Sequence, residues 1–136
     1  MSYSISTLLT RNLQDVFGEN DPSRRRAAID EIWTEDGEFY DPKTGVHRGR
    51  DEIDRIAGAL RAIHPDFRYQ PIAEPEELGN GGRVQWVSGR PGEAPAYAGT
   101  AGLPPFIFFS TSYPEPDSAE RRYNLITQRD VRGFVR

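Results

Sequence analysis

No cysteine occurs anywhere in the chain, which removes disulfides, thiolate nucleophiles and cysteine metal sites from consideration. Histidine is nearly as scarce. His47 and His64 are the only two, and neither stands at metal-ligand spacing to the other or to a carboxylate cluster, so no metal is expected. No apolar run approaches a membrane span, and the N-terminus lacks the basic start and apolar stretch of a signal peptide; a cytoplasmic protein with no membrane partner is expected. Positive charge is in deficit. Seventeen Lys and Arg against 21 Asp and Glu give a net charge of −4 and a pI near 5.2, a balance that argues against a nucleic-acid partner. The one basic run, Arg24-Arg25-Arg26, sits among acids and reads as the solvated face of a helix. Apolar residues are few, at 36%, while 13 glycines and 11 prolines imply many turns. The 136 residues suit a single domain, residues 1–136, with one core.

What is present is ordered. Leu8, Leu9, Leu13, Val16 and Phe17 recur at helical spacing, so the first element is an amphipathic helix over 6–17. "NDPSRRRAAIDEIW" starts a second helix, with Asp21 as N-cap, Pro22 at the first helical position, and Ala28, Ile29, Ile32 and Trp33 as its buried stripe. "EDGEFYDP" reads as a short strand ended by Pro42. "TGVHRGRDEI" turns back into a third helix beginning near Asp51, with Ile53, Ile56, Ala57, Leu60 and Ile63 on one face and His64-Pro65 closing it. The period then changes to that of strands: "FRYQPIAEPEEL", a tight turn at "GNGG", "RVQWVSGRP" with Val84 and Trp86 on one side, and "APAYAGT". Three helices followed by antiparallel strands predict an α+β domain in which one curved sheet wraps the helices into a cone, leaving a pocket on its concave face.

The most specific stretch is "FYDPKTGVHRGRDEI", residues 39–53. A strand delivers Asp41 to a proline-capped end, and a glycine-bearing return leads into a helix. Phe39 and Asp41 share one strand face while Tyr40 takes the other. A carboxylate held against apolar walls has its pKa raised toward the range of a general base. Asp41 also suits a plainer role, as a turn residue bonding its own backbone. Trp33, Phe39 and Trp86 are candidate pocket walls, with core packing as the alternative for the two tryptophans. Tyr97 either reaches the pocket or faces a partner subunit. His47 reads as a packed or surface residue. Arg48 and Arg50 read as partners for Asp51, Glu52 or Asp54.

Two helices, then "W-x-E-D-G-x-F-x-D-P" and "H-R-G-R-D-E-I", resemble the nuclear transport factor two-like superfamily, specifically its SnoaL-like and ketosteroid-isomerase-like members, from about Leu8 to Thr100. The resemblance implies a cofactor-free isomerase, cyclase or hydratase, with a small apolar or carbonyl-containing molecule as partner and a homodimer through the sheet. In ketosteroid isomerases the aspartate of the matching "D-P" removes a proton next to a carbonyl, so the resemblance makes Asp41 the candidate base. The tyrosine that donates to the oxyanion there is matched most nearly by Asn12, a departure that argues against steroid isomerisation. An epoxide-opening hydrolase of this fold needs an Asp-Arg-Asp set that this chain does not assemble. Many relatives are non-catalytic binding or dimerisation modules, and that alternative stays open.

The ending departs from the family. After "A-Y-A-G-T" relatives continue the strand, turn through Arg-Asp-Gly-Arg and finish with a strand resembling "I-A-A-V-Y-L-F-L-D"; residues 101–136 do neither. Plausible codons from Gly99 onward, read one base earlier, give "DGRLAAVYLFLDKLPG", close to the missing ending. A shifted reading frame is therefore the preferred account, leaving a variant whose tail has no selected activity; a divergent but selected tail is the alternative. In either case "PFIFFSTSY" is strand-prone through Phe106, Ile107, Phe108 and Phe109, "PEPDSAE" reads as a loop, and "RRYNLITQRDV" suits a last strand with Tyr123, Leu125 and Thr127 turned inward.

Overall fold

A computed structural model describes residues 3–41, 44–79, 81–103, 108–112 and 123–125, with side chains described up to residue 102. The first expected helix is there but changes character midway. Helix α1 (Ile5–Arg11) is capped by Ser4, whose side chain accepts from the Thr7 N–H, and then widens into a π-helical turn over Asn12–Phe17. The wider turn carries both Asn12 and Leu13 into the interior. Helix α2 (Pro22–Ile32) starts as expected: the Asp21 carboxylate accepts from the Ser23 and Arg24 N–H groups, and Pro22 occupies the first turn.

These capping bonds hold the Asp21 carboxyl below the usual carboxylate range, the Arg24 backbone N–H contributing most. A group with a lowered folded pKa contributes stability above its unfolded value, roughly 4, and loses it as pH falls through the folded value. Asp21→Ala is therefore expected to lower the melting temperature at pH 7, with the gap from wild type narrowing progressively as pH falls below about 4. A gap that does not change with pH contradicts the cap.

Strands β1 (Glu38–Asp41) and β2 (Gly45–Arg48) form an antiparallel hairpin that pairs Phe39 with His47 and Asp41 with Gly45. Pro42, expected to end the first strand, lies outside the described residues. Helix α3 (Arg50–Ile63) follows at once. Its N-cap, Gly49, has a φ of +88°, a backbone conformation that favours glycine, and its N–H donates to the Gly37 carbonyl. His64 closes α3 as expected.

The remaining strands are β3 (Arg68–Pro71), β4 (Glu76–Leu78), β5 (Gly81–Gly89), β6 (Tyr97–Leu103), β7 (Phe108–Ser112) and β8 (Tyr123–Leu125). They form an antiparallel sheet in the order β3-β5-β6-β7-β8, with β4 also paired to β5. "FRYQPIAEPEEL" is thus two strands split around Pro71 and Pro75. The turn at "GNGG" has Gly79 in the left-handed region, while Gly81 and Gly82 already belong to β5. Strand β6 pairs with β5 through Leu103, past Thr100. "PFIFFSTSY" supplies a strand that pairs with β6, and part of the last expected strand pairs with β7. Phe106, Ile107, Thr127 and the loop "PEPDSAE" lie outside the described residues, as do the side chains of Phe108, Phe109, Tyr123 and Leu125.

The core joins Leu8, Val16, Phe17, Ile29, Ile32, Trp33, Ile53 and neighbours from all three helices. A second cluster of Ile5, Leu9 and Val84 fastens α1 to β5. Each fully buried aliphatic side chain contributes about 2 kcal/mol relative to exposure.

Several expectations need correction. Leu60 and Ile63 are exposed, and Arg61 instead of either turns inward at that end of α3. Its guanidinium is satisfied by the Asn20 amide oxygen at 2.7 Å and by the Phe67 and Pro65 carbonyls at 2.7 and 2.9 Å, which ties α3 to the chain leading into β3. Arg25 is buried, not solvated. It pairs with Asp54 at 3.0 Å across the α2–α3 contact, and Gly58 leaves room for its head group. Arg48 donates to Glu38, its neighbour across the hairpin. Arg50 donates to the Trp33 and Asp30 carbonyls, satisfying the open C-terminal end of α2.

Candidate functional site

The hairpin and the two helices beside it bring three of the five expected site residues together. Trp33, at the end of α2, is 3% exposed and donates its indole N–H to the Asn12 amide oxygen at 2.8 Å. Phe39 lies edge-on to Trp33 at 6.5 Å and tilted against Phe17 at 5.2 Å. Asp41 lies two residues along on the same strand face, half-buried. Trp33 is a wall of the core, and Asn12 is its acceptor.

Asp41 stands at the head of a polar chain. The Thr44 hydroxyl is 2.9 Å from Asp41 Oδ2 and 2.7 Å from His47 Nε2. The other ring nitrogen of His47 lies 3.6 Å from Glu52 Oε2, in the first turn of α3. The imidazole is 8% exposed and stacks on Phe39 at 6.3 Å with 28° between planes. Arg55 holds the Glu52 carboxyl below the usual range, with hydrogen bonds of 3.0 and 2.8 Å as the largest cause. His47 is thus packed, as expected, with polar partners at both ring nitrogens.

Trp86 and Tyr97 lie elsewhere, on the helix-facing side of the sheet. Cross-strand register places Tyr69, Ser88 and Tyr97 in one row of β3, β5 and β6, with Trp86 in the next row. Trp86 packs on Tyr69 at 5.2 Å. Tyr97 meets His64, Oη to Nε2 at 3.2 Å, and Phe67 at 5.9 Å, while His64 stacks flat on Phe67 at 4.0 Å. Burial pushes the Tyr69 phenol up, and the positive charge of Arg61 offsets part of the shift. Ser88 Oγ is fully buried and makes no hydrogen bond of normal geometry. Tyr69 and Phe39 both pack against the main core, so the two aromatic groups share one hydrophobic wall.

Sequence reasoning gave no site role to Thr44, Glu52, Tyr69, Ser88 or His64. For the sheet row a signal was available: counting in twos from Trp86 reaches Ser88. A cleft of about 300 Å³ lies between Gln70 and Val87, on the opposite face of the sheet, and the turn through Arg90 to Pro95. None of the five expected site residues lines it. Among the described residues no group of three or more His, Asp or Glu could hold a metal ion, and no helix is long and apolar enough to cross a membrane.

A hairpin feeding α3, followed by an antiparallel sheet packed on three helices, matches a solved structure: a candidate isomerase of the SnoaL-like family from Agrobacterium tumefaciens. The superposition has a TM-score of 0.65 over 81% of this chain and 86% of that one, at 23% sequence identity. The fold is SnoaL-like. No family model and no curated protein sequence matches the chain. The SnoaL-like fold accounts for the helices and the order of the β-elements, while the residues that would carry chemistry have to be argued from this chain alone.

Proposed function

We propose that this chain binds a small apolar or carbonyl-containing molecule and acts on it by cofactor-free proton chemistry, of the isomerase, cyclase or hydratase kind, with Asp41 as the base. The observation that carries this reading is the hairpin itself: a half-buried carboxylate shares a strand face with Phe39 and is linked through Thr44 to the buried His47. A base next to an aromatic wall can take a proton from a carbon beside a carbonyl while the wall excludes water. Phe39, with Trp33 behind it, forms that wall. Trp86 and Tyr97 contribute the sheet side of a central pocket in a cone of helices and sheet. The molecule works in the cytoplasm as a homodimer paired through its sheets.

The bond from Thr44 to Asp41 within the turn favours a second reading, a binding module without catalysis. Titration of the full chain with small cyclic ketones and β-dicarbonyl compounds, followed by amide and ring NMR signals, tests the site. Shifts centred on Phe39, Asp41 and His47 are expected. Shifts confined to the Gln70–Val87 cleft would overturn the assignment. Asp41→Asn should keep the affinity within about threefold under either reading, because the base role adds little to ground-state binding. For the tail after Thr100 we retain the shifted reading frame, which the sequence of the gene and its flanks decides.

A further inference from the structure

We propose that Thr44 relays a proton between Asp41 and His47, so that the two residues hold one proton in common. Its catalytic meaning rests on the general-base reading of Asp41, whereas the sharing itself stands on geometry alone. Thr44 Oγ1 is within hydrogen-bond distance of both Asp41 Oδ2, at 2.9 Å, and His47 Nε2, at 2.7 Å. Each contact needs a proton between its heavy atoms, and a threonine hydroxyl has one to give. The second must come from an end of the chain.

Two arrangements satisfy both contacts at the same total charge. In one, Asp41 is ionised, Thr44 donates to it, and an imidazolium Nε2–H donates to Thr44. In the other, a protonated Asp41 donates to Thr44, and Thr44 donates to the bare Nε2 of a neutral ring. They interconvert by two short hops. The proton on Asp41 Oδ2 moves to Thr44 Oγ1 as the hydroxyl's own proton moves to His47 Nε2; one O–H bond is broken at Asp41 and one N–H bond is made at His47. With Asp41 ionised and a neutral ring protonated at Nδ1 alone, one of the two contacts would set lone pair against lone pair; a neutral ring satisfies both only as its Nε2–H tautomer.

The surroundings select which ring nitrogen changes. Glu52, kept ionised by Arg55, faces Nδ1 from α3 and favours a proton there, leaving Nε2 as the variable site. Stacking on Phe39 holds the ring plane. An ionised Asp41 beside a neutral ring whose Nε2 is bare enters the second arrangement on taking a substrate proton, and Nε2 is then free to receive it. After Asp41 takes a substrate proton, the hydroxyl offers that proton a path away from the reacting carbon.

The test compares 15N and 1H signals of the His47 ring at one neutral pH in the full chain, using wild type, Thr44→Val, Thr44→Ser and Asp41→Asn, with His64→Gln to separate the two histidines. In wild type a bonded Nε2 proton is expected. Thr44→Val keeps the side-chain shape without the hydroxyl and should speed solvent exchange of that proton about five- to tenfold, as for loss of one hydrogen bond. Thr44→Ser should restore slow exchange. In Asp41→Asn the side-chain amide donates to Thr44, so the ring should move to the neutral, one-proton pattern. Identical His47 signals in wild type, Thr44→Val and Asp41→Asn would overturn the relay, as would a folded Thr44→Ser variant that fails to restore slow exchange. None of these readings uses turnover. Coupled ring signals without proton abstraction from substrate would remove the base and keep the relay, and abstraction without coupling would do the reverse.

Discussion

Trp33→Ala is expected to lower the unfolding free energy by about 4 kcal/mol, a large share of what a domain of this size has. The indole is 3% exposed among Phe17, Ile29 and Ile32, so its removal leaves a cavity where α2 meets the π-helical turn and the hairpin. It also strands the Asn12 amide, whose oxygen loses its donor in a buried place. Trp33→Phe separates the two effects. Most of the packing remains, and the unpaired Asn12 oxygen should cost about 1–3 kcal/mol. Urea unfolding with an unchanged slope measures both. A loss below about 1 kcal/mol for Trp33→Ala would mean that this side chain is a platform for ligand instead of a wall of the core.

Gly82→Leu is expected to cost at least about 3 kcal/mol and to leave much of the chain unfolded. A Cβ at this position would stand 2.6 Å from Ile5 Cγ2 and 2.7 Å from the Glu76 carbonyl oxygen. The isoleucine can shift by changing its rotamer, but the carbonyl belongs to β4, whose ladder with β5 pairs Glu77 with Gly82 itself. Gly82→Ala meets the same two atoms and should cost about 2 kcal/mol. Here the glycine is required by close packing, since its φ is not in the left-handed region. Gly92 is the converse: its φ is +79° and no atom lies within 4 Å of an added Cβ, so Gly92→Ala should cost about 1 kcal/mol from backbone strain alone. Equal effects at the two glycines would contradict the tight seam between α1 and β5.

These two residues mark how far the sequence could be read. Trp33 fell on the apolar stripe of α2, so its burial was visible from spacing, as were the Asp21–Pro22 start and the His64 stop. Gly82 was read as part of a turn, because a glycine packed under a helix looks the same as one that bends the chain. Arg25 and Arg61 were invisible for a related reason. A charged side chain reads as surface until its partners are known, and these partners lie 29 and 41 residues away in Asp54 and Asn20. Leu60 and Ile63 failed the other way, being apolar at helical spacing yet turned to the outside. In the site, Asp41 and Phe39 were legible from alternation along β1. Thr44 was not, since a hydroxyl in a turn has no periodic signature. Its bonds to Asp41 and His47 depend on the hairpin register, which only the folded chain fixes.

The measurement that bears most directly on the central claim is loss of α-protons from small cyclic ketones and β-dicarbonyl compounds in D2O, followed by NMR with wild type and with Asp41→Asn. Wild type should exchange at least one of these compounds faster than buffer does, and Asp41→Asn should cut that rate by roughly 10²–10⁴. Equal rates in the two proteins, with the compound bound at the Phe39–Asp41–His47 hairpin in both, would contradict a base at Asp41 and leave a binding protein in its place.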